Sequence, residues 1–439
     1  MKKFYIPIII CLLIATVQFN GFVMYAATFN LDSTQSKVSL RKERIKTTGE
    51  FKGPVILVEF IDTSFTLPNA SQRFDEMLNS SHYNYQGAKG SARDYFISNS
   101  DSTFFPSFNV IGPVKLPKKM SYYGENGENG EDIHAGEMVM DACRLASSYI
   151  KFSDYDTNDD GLVDMVYIFF ASYSENENPS VNEYIWSHAG NIADSCLILD
   201  GKRIGRYACS SEYIGKANAE NAQMATIGTF CHEFSHILGL PDFYNTLSNS
   251  GLTLGSMSLM DKGNYLDNGR CPAGYSAFEK EYVNWTTVPV QEEIRNKIQI
   301  LLSPVNSDIK CNVPNSIKIC IDKDEYYYLE NRQNENWDKY LPGQGLFIYH
   351  IDLSDSLAWD RNEVNIHYTH PNYELIRSNG KFEIDYKKIA FPGDAGISDF
   401  HPTKSWKGKD IKFKIENIKQ VGRHILFDLV RLQNQDSPH

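Results

Sequence analysis

Residues 232–242 read His-Glu-Phe-Ser-His-Ile-Leu-Gly-Leu-Pro-Asp, and no other stretch of the chain restricts its fold as much. On a helix, His232 and His236 sit four residues apart and project from one face, so both imidazoles can reach one metal ion. Glu233, one position along, is placed to act on a water at that metal rather than to ligate it. Gly239 can take the positive φ that ends a helix, which lets Asp242 fold back beneath the metal as a third ligand. Three protein ligands with an open fourth position describe a catalytic zinc site, because structural sites are closed by a fourth ligand. Two ordinary core histidines would need neither the Gly and Asp at these spacings nor the apolar lead-in at 224–231, which reads as a buried helix.

The chain has 439 residues, 42% hydrophobic and 13% aromatic, enough for two or three packed domains. Its formal net charge of -12 repels a phosphate backbone, so nucleic acid is not an expected partner. Lys2 and Lys3, the apolar run 4–17 and the small residues Ala26 and Ala27 predict an export signal over 1–27. That run is short for a membrane span and is interrupted by Pro7, and Cys11 lacks the small residue before it that a lipid anchor requires. The mature protein is therefore expected outside the cytoplasm, off the membrane and monomeric. Seven of the eight cysteines follow the signal, an odd number. Cys196 with Cys209, and Cys311 with Cys320, are close enough in sequence to close short loops, whereas Cys231 reads as a buried thiol. Cys143 is the first cysteine after the signal, so no leader cysteine can block the zinc.

Residues 28–48 are polar and basic, as in a short leader or propeptide. Over 49–290, apolar β-branched runs at 54–60 and 165–171 predict buried strands, and 70–78, 88–98 and 133–150 carry helical spacing. That alternation predicts an α/β (α+β) catalytic domain. From 291 to 439 the texture changes to short β segments at 298–302, 316–321, 326–330, 345–351 and 424–430, which predict a mainly β C-terminal domain with its boundary near 288–296.

A second metal site is suggested at 154–164, Asp-Tyr-Asp-Thr-Asn-Asp-Asp-Gly-Leu-Val-Asp. Oxygen ligands at Asp156, Asn158, Asp160 and Asp164, with the Leu162 position between them and Gly161 at the turn, fit a calcium cradle. It is not a helix-loop-helix calcium hand, because the twelfth position is Tyr167 and a strand follows. A solvated turn rich in Asp and Asn is the plainer alternative. Met260, eighteen residues after Asp242, suits an apolar floor under the metal ligands, and Tyr265 or Tyr275 could donate a hydrogen bond to an oxyanion. His188 and Glu212 are candidates to approach the cleft. For His188, beside Trp186, and for His350, at a strand end, a buried hydrogen-bonded imidazole is the simpler reading.

Several runs together resemble the secreted bacterial zinc peptidases of the immune inhibitor A type. They are 232–244 and 258–265, the acidic loop and strand at 156–170, 87–96, 185–188 and 326–352. The resemblance implies a metzincin-like catalytic domain in which a long helix carries the first two zinc ligands. It places zinc at His232, His236 and Asp242, the general base at Glu233 and the Met of the supporting turn at Met260, and it implies structural calcium. Larger relatives carry long propeptides, whereas this leader has about twenty residues, so latency of that kind is not expected; Asp32 is the leader residue that could reach the zinc. The expected activity is zinc-dependent endopeptidase action on protein or peptide. Two other classes share the motifs, an exported binding protein that kept the metal fold and a zinc amidohydrolase on a non-peptide amide. An intact Glu233 argues against the first.

Overall fold

The computed structural model describes residues 45–432, apart from 129, 193–196, 218–222, 249–250, 252, 292–293, 295, 310–311 and 381–387. Among these residues the first strand, Gly49–Glu59, lies between Phe104–Lys115 and Val166–Tyr173, all three running parallel. Arg206–Ile214 extends the sheet in parallel, and His188–Asn191 and the short Gln223–Met224 pair with it antiparallel.

Both faces of the sheet are covered, as a parallel sheet demands. Val55 and Leu57 point into a core shared with the helices Ala70–Asn79, Ala92–Asn99 and Ile227–Ile237. Ile56 and Val58 point into a separate core under Ala135–Ala146. The mixed α/β architecture is as expected, and the five patterned runs each overlap an element of the expected type. Phe104–Lys115 carries no such signal because Pro106 and Pro113 interrupt it. It is an edge strand, where a missing N–H donor is tolerated.

The C-terminal half builds two sheets. One is ordered Tyr373–Ile376, Gly345–Asp352, Glu325–Arg332, Ser316–Asp322 and Val290–Gln291; the other is Lys297–Leu302, His424–Arg431 and Phe413–Val421. Along Glu325–Arg332 the side chains alternate, Tyr327 and Leu329 facing the core between the sheets and Tyr328 facing the peptidase-half core. Phe347, Tyr349, Ile351, Tyr373 and Leu375 join Tyr328 there. The expected boundary at 288–296 thus coincides with the outer strand Val290–Gln291, while one hydrophobic core runs across it.

The end of the expected leader is packed rather than free. Ile45 and Thr47 are buried, and the Trp285 indole N–H donates to the Thr47 carbonyl at 2.7 Å. The signal segment, Asp32, Cys11, Cys196 and Cys311 lie outside the described residues. Cys209 is a buried thiol 3.5 Å from His188 Nδ1, and Cys231 is wholly buried. Among the described residues no helix is long and apolar enough to cross a membrane.

Candidate metal centre

The helix Ile227–Ile237 is fixed from below by aromatic packing. Phe234 meets the rings of Phe51, Phe96, Phe104 and Phe108 within 6.4 Å. Its C-terminus is a Schellman turn: Gly239, at φ 103°, donates to the His236 carbonyl and Leu240 donates to that of Ser235. The turn brings Asp242 back to the histidines, with Oδ1 3.2 Å from His232 Nε2 and 3.4 Å from His236 Nε2.

Each imidazole is held by its other nitrogen. His232 Nδ1 lies 2.8 Å from the Leu259 carbonyl and His236 Nδ1 2.8 Å from that of Leu240. Donation there turns both Nε2 atoms towards Asp242, the nitrogens that a metal would take. Asp242 Oδ2 accepts from Asn362 Nδ2 at 2.7 Å, and the Asp242 N–H donates to Asn362 Oδ1. Asp242 Oδ1 is buried without a hydrogen-bond donor.

The electrostatics fit a cation. Burial disfavours charge on His232, yet the Asp242 carboxylate outweighs it and pushes the imidazole up to about 9. Burial would likewise raise Asp242, but His236 and His232 hold it well below the usual carboxylate range. A pocket that draws protons onto buried imidazoles carries uncompensated negative charge, which a divalent metal would neutralise. The ligand-type atoms of His232, Glu233 and His236 lie within 4.8 Å of one another. Burial raises the Glu233 carboxyl, with the two imidazoles opposing. Two imidazoles and a carboxylate form a donor set suited to zinc.

Above this centre is an open cleft. Its walls include Trp186, Ser187, Ser210, Tyr244 and Tyr265. Tyr265, a candidate oxyanion donor in the sequence, thus lines the cleft. Tyr275 is not: it is fully buried behind the motif helix, its hydroxyl against Ser235, so it cannot reach a substrate. Glu212 is also away from the cleft, accepting the N–H groups of Thr66, Leu67 and Ser172. His188 bonds to the Trp186 carbonyl and Tyr207 hydroxyl, and His350 to Glu325 in the five-stranded sheet. Met260 is wholly buried, and its carbonyl accepts from the Phe243 N–H at 2.9 Å. Two contributors have no place in the sequence reading. Tyr244, on the cleft wall, ends the run 232–244 without a role in that reading, whereas Asn362 has no local signal.

The acidic loop is compact. Asp156 accepts from the Asp160 and Gly161 N–H groups, Asp160 from that of Leu162, and Asp164 from Thr157. Asn158 donates to Asp160, and Lys202 reaches Asp156 at 2.7 Å.

Comparison with known proteins places the chain. The catalytic-domain model of the immune inhibitor A peptidase M6 family matches residues 55–287, more than half of the 439. The chain belongs to the immune inhibitor A peptidase M6 family. Pre-pro-metalloprotease PrtV of Vibrio cholerae serotype O1 is 24% identical over 399 residues, covering 77% of this chain and 41% of that protein. Immune inhibitor A of Bacillus thuringiensis subsp. alesti is 24% identical over 385 residues, covering 75% of this chain and 55% of its own. The chain thus spans about half the length of these curated relatives. As in any metallopeptidase family, a metal belongs at the catalytic centre, and the histidine pair on the motif helix is where this M6 chain can hold it.

Proposed function

We propose that this M6 chain is an exported zinc endopeptidase. The observation that carries this reading is the orphaned, ionised Asp242 Oδ1 facing the Nε2 atoms of His232 and His236, with Glu233 beside them. Zinc held by His232, His236 and Asp242 would polarise the scissile carbonyl and acidify the attacking water. Glu233 takes one proton from that water as its oxygen adds to the carbonyl carbon, then delivers the proton to the leaving nitrogen as the C–N bond breaks. The products are one carboxylic acid and one amine, with no covalent bond to the chain. Tyr265, on the cleft wall, is assigned hydrogen-bond donation to the carbonyl oxygen as it gains charge. Met260 is assigned the apolar floor, and the Leu259 carbonyl beside it holds the His232 ring. Export rests on the signal expected at 1–27, and the loop with Asp156, Asn158, Asp160, Leu162 and Asp164 is assigned structural calcium.

Glu233→Gln should keep its zinc, and the zinc-dependent rise in melting temperature, while casein turnover falls roughly 10²–10⁴-fold. The parent should lose turnover to a chelator and regain it with zinc. Full activity in Glu233→Gln would sink the role given to Glu233. A peptide library left uncut by the zinc-loaded parent would sink the endopeptidase reading itself.

A further inference from the structure

The Glu/Asn/Gly-rich stretch 125–132 has no part in the catalytic centre, yet it ends against the cleft wall. Asn126 and Asp132 face each other across an antiparallel bridge, closed by Gly127 donating to the Glu131 carbonyl and Ile133 to that of Glu125. Directly opposed residues present their side chains on the same side. Asn126 Nδ2 donates to Glu175 Oε1 at 2.9 Å, and Asp132 Oδ2 accepts from the Trp186 N–H at 2.9 Å. Each of these three side chains has one oxygen left over. Asn126 Oδ1, Asp132 Oδ1 and Glu175 Oε2 are all shut off from solvent and have no hydrogen-bond partner, and Glu175 is only 6% exposed.

We propose that Asn126, Asp132 and Glu175 form a calcium-type cation site that fastens the Asn126–Asp132 bridge to the Trp186–Ser187 wall of the cleft.

The fold shows how it normally treats a buried acid. Glu212 is surrounded by three backbone N–H groups, and Glu330 accepts from the Ala277 N–H and the Tyr349 hydroxyl. Asp132 and Glu175 lack such provision on one oxygen each, and among the described residues no Lys, Arg or His pairs with either. Two carboxylates call for two positive charges. Burial raises both carboxyls, Asp132 to about 8, and the Glu175 charge adds to the effect on Asp132, so the pair resists ionising without a counter-charge. An all-oxygen donor set excludes the softer metals, and its seclusion from water favours calcium over magnesium, which keeps several waters of its own. The site is separate from the acidic loop at 156–164 and shares no residue with it.

Its position gives it a consequence. Ser174, Asn176 and Glu177, on either side of Glu175, line the cleft, as do Trp186 and Ser187. Glu175 also donates its N–H to the Ile185 carbonyl at 3.0 Å. A cation there would tie both segments of this wall to one point.

The test uses the full zinc-loaded chain, first freed of calcium. Calcium bound per chain and the calcium-dependent rise in melting temperature are measured for the parent, Asp132→Asn, Glu175→Gln and an Asp156→Asn/Asp160→Asn double variant. Asp132→Asn and Glu175→Gln should each bind one calcium fewer than the parent and show a smaller rise, while melting no lower than the parent in its absence. The double variant should keep the site. Terbium, used as the probe, should give emission sensitised by Trp186 that Trp186→Phe and Glu175→Gln both lose. Equal calcium counts and equal shifts in the parent and both single variants would overturn the site. A parent that binds no calcium, its two acids staying protonated, would overturn it as well.

Discussion

Asp242 and Asn362 stand 120 residues apart and are joined by two hydrogen bonds. The amide fixes the carboxylate so that Oδ1, and not Oδ2, faces the histidines. Asn362→Ala should therefore weaken zinc binding about 10–100-fold, the usual effect of losing a group that orients a ligand. Competition with a chromogenic chelator measures it, and an affinity equal to the parent's would remove Asn362 from the centre. His232, Glu233, His236 and Asp242 are legible in sequence because helix periodicity and one Schellman turn bring them together locally. Asn362 is not legible, since nothing in its neighbours says where the short helix Ser356–Asp360 before it will deliver it. Tyr275 misled for a related reason: spacing after the motif places it near the helix but cannot say on which side.

At the scale of elements, the motif helix approaches the segment Lys262–Gly269 through two glycines. A Cβ on Gly228 would lie 2.0 Å from the Asn264 carbonyl oxygen and 2.8 Å from Gly269 Cα. Gly228→Ala should push apart the helix and the segment carrying Tyr265, lowering stability by about 1–3 kcal/mol in urea unfolding. No change in the midpoint would mean that the two elements yield freely. A second junction is the helix Ala277–Tyr282, capped by Ser276, whose Glu279 also accepts from Ser258 in the turn before Met260. Burial raises the Glu279 carboxyl from 4.5 to about 7, against its hydrogen bonds from Ser258 and Ser276. A raised carboxyl binds its proton more tightly folded than unfolded. Its contribution is therefore complete below pH 4.5 and is lost as pH rises through 7. Between those limits Glu279→Gln should show a shallower fall in stability than the parent, and parallel curves would refute the shift.

For the whole molecule, the core that crosses residue 290 matters most. Tyr328, Phe347, Tyr349, Trp359 and Tyr373 share with Phe243 and Phe278 the cluster that also buries the motif helix. A chain cut after Val290 would expose that surface and lose Asn362. It should show no cooperative melt and no stoichiometric zinc, by calorimetry and metal analysis; a stable, zinc-loaded fragment would show that the halves fold independently. The strands of the C-terminal half were legible from their turn-separated apolar runs, but their alternation is equally compatible with a separate β domain. Which partner each face would meet is a matter of long-range packing.

The sequence by itself determined which residues meet at the proposed centre, because the motif's ligand-type residues lie within eleven positions and are set by helix geometry and one turn. It also determined the α/β character of the first half, where apolar runs are long enough to read. The tertiary structure alone decided which tyrosine faces the cleft, which distant amide orients Asp242, and that both halves share a core. It also left three oxygens of Asn126, Asp132 and Glu175 buried without partners. Those outcomes depend on contacts between segments far apart in the chain, and no local pattern of side chains encodes them.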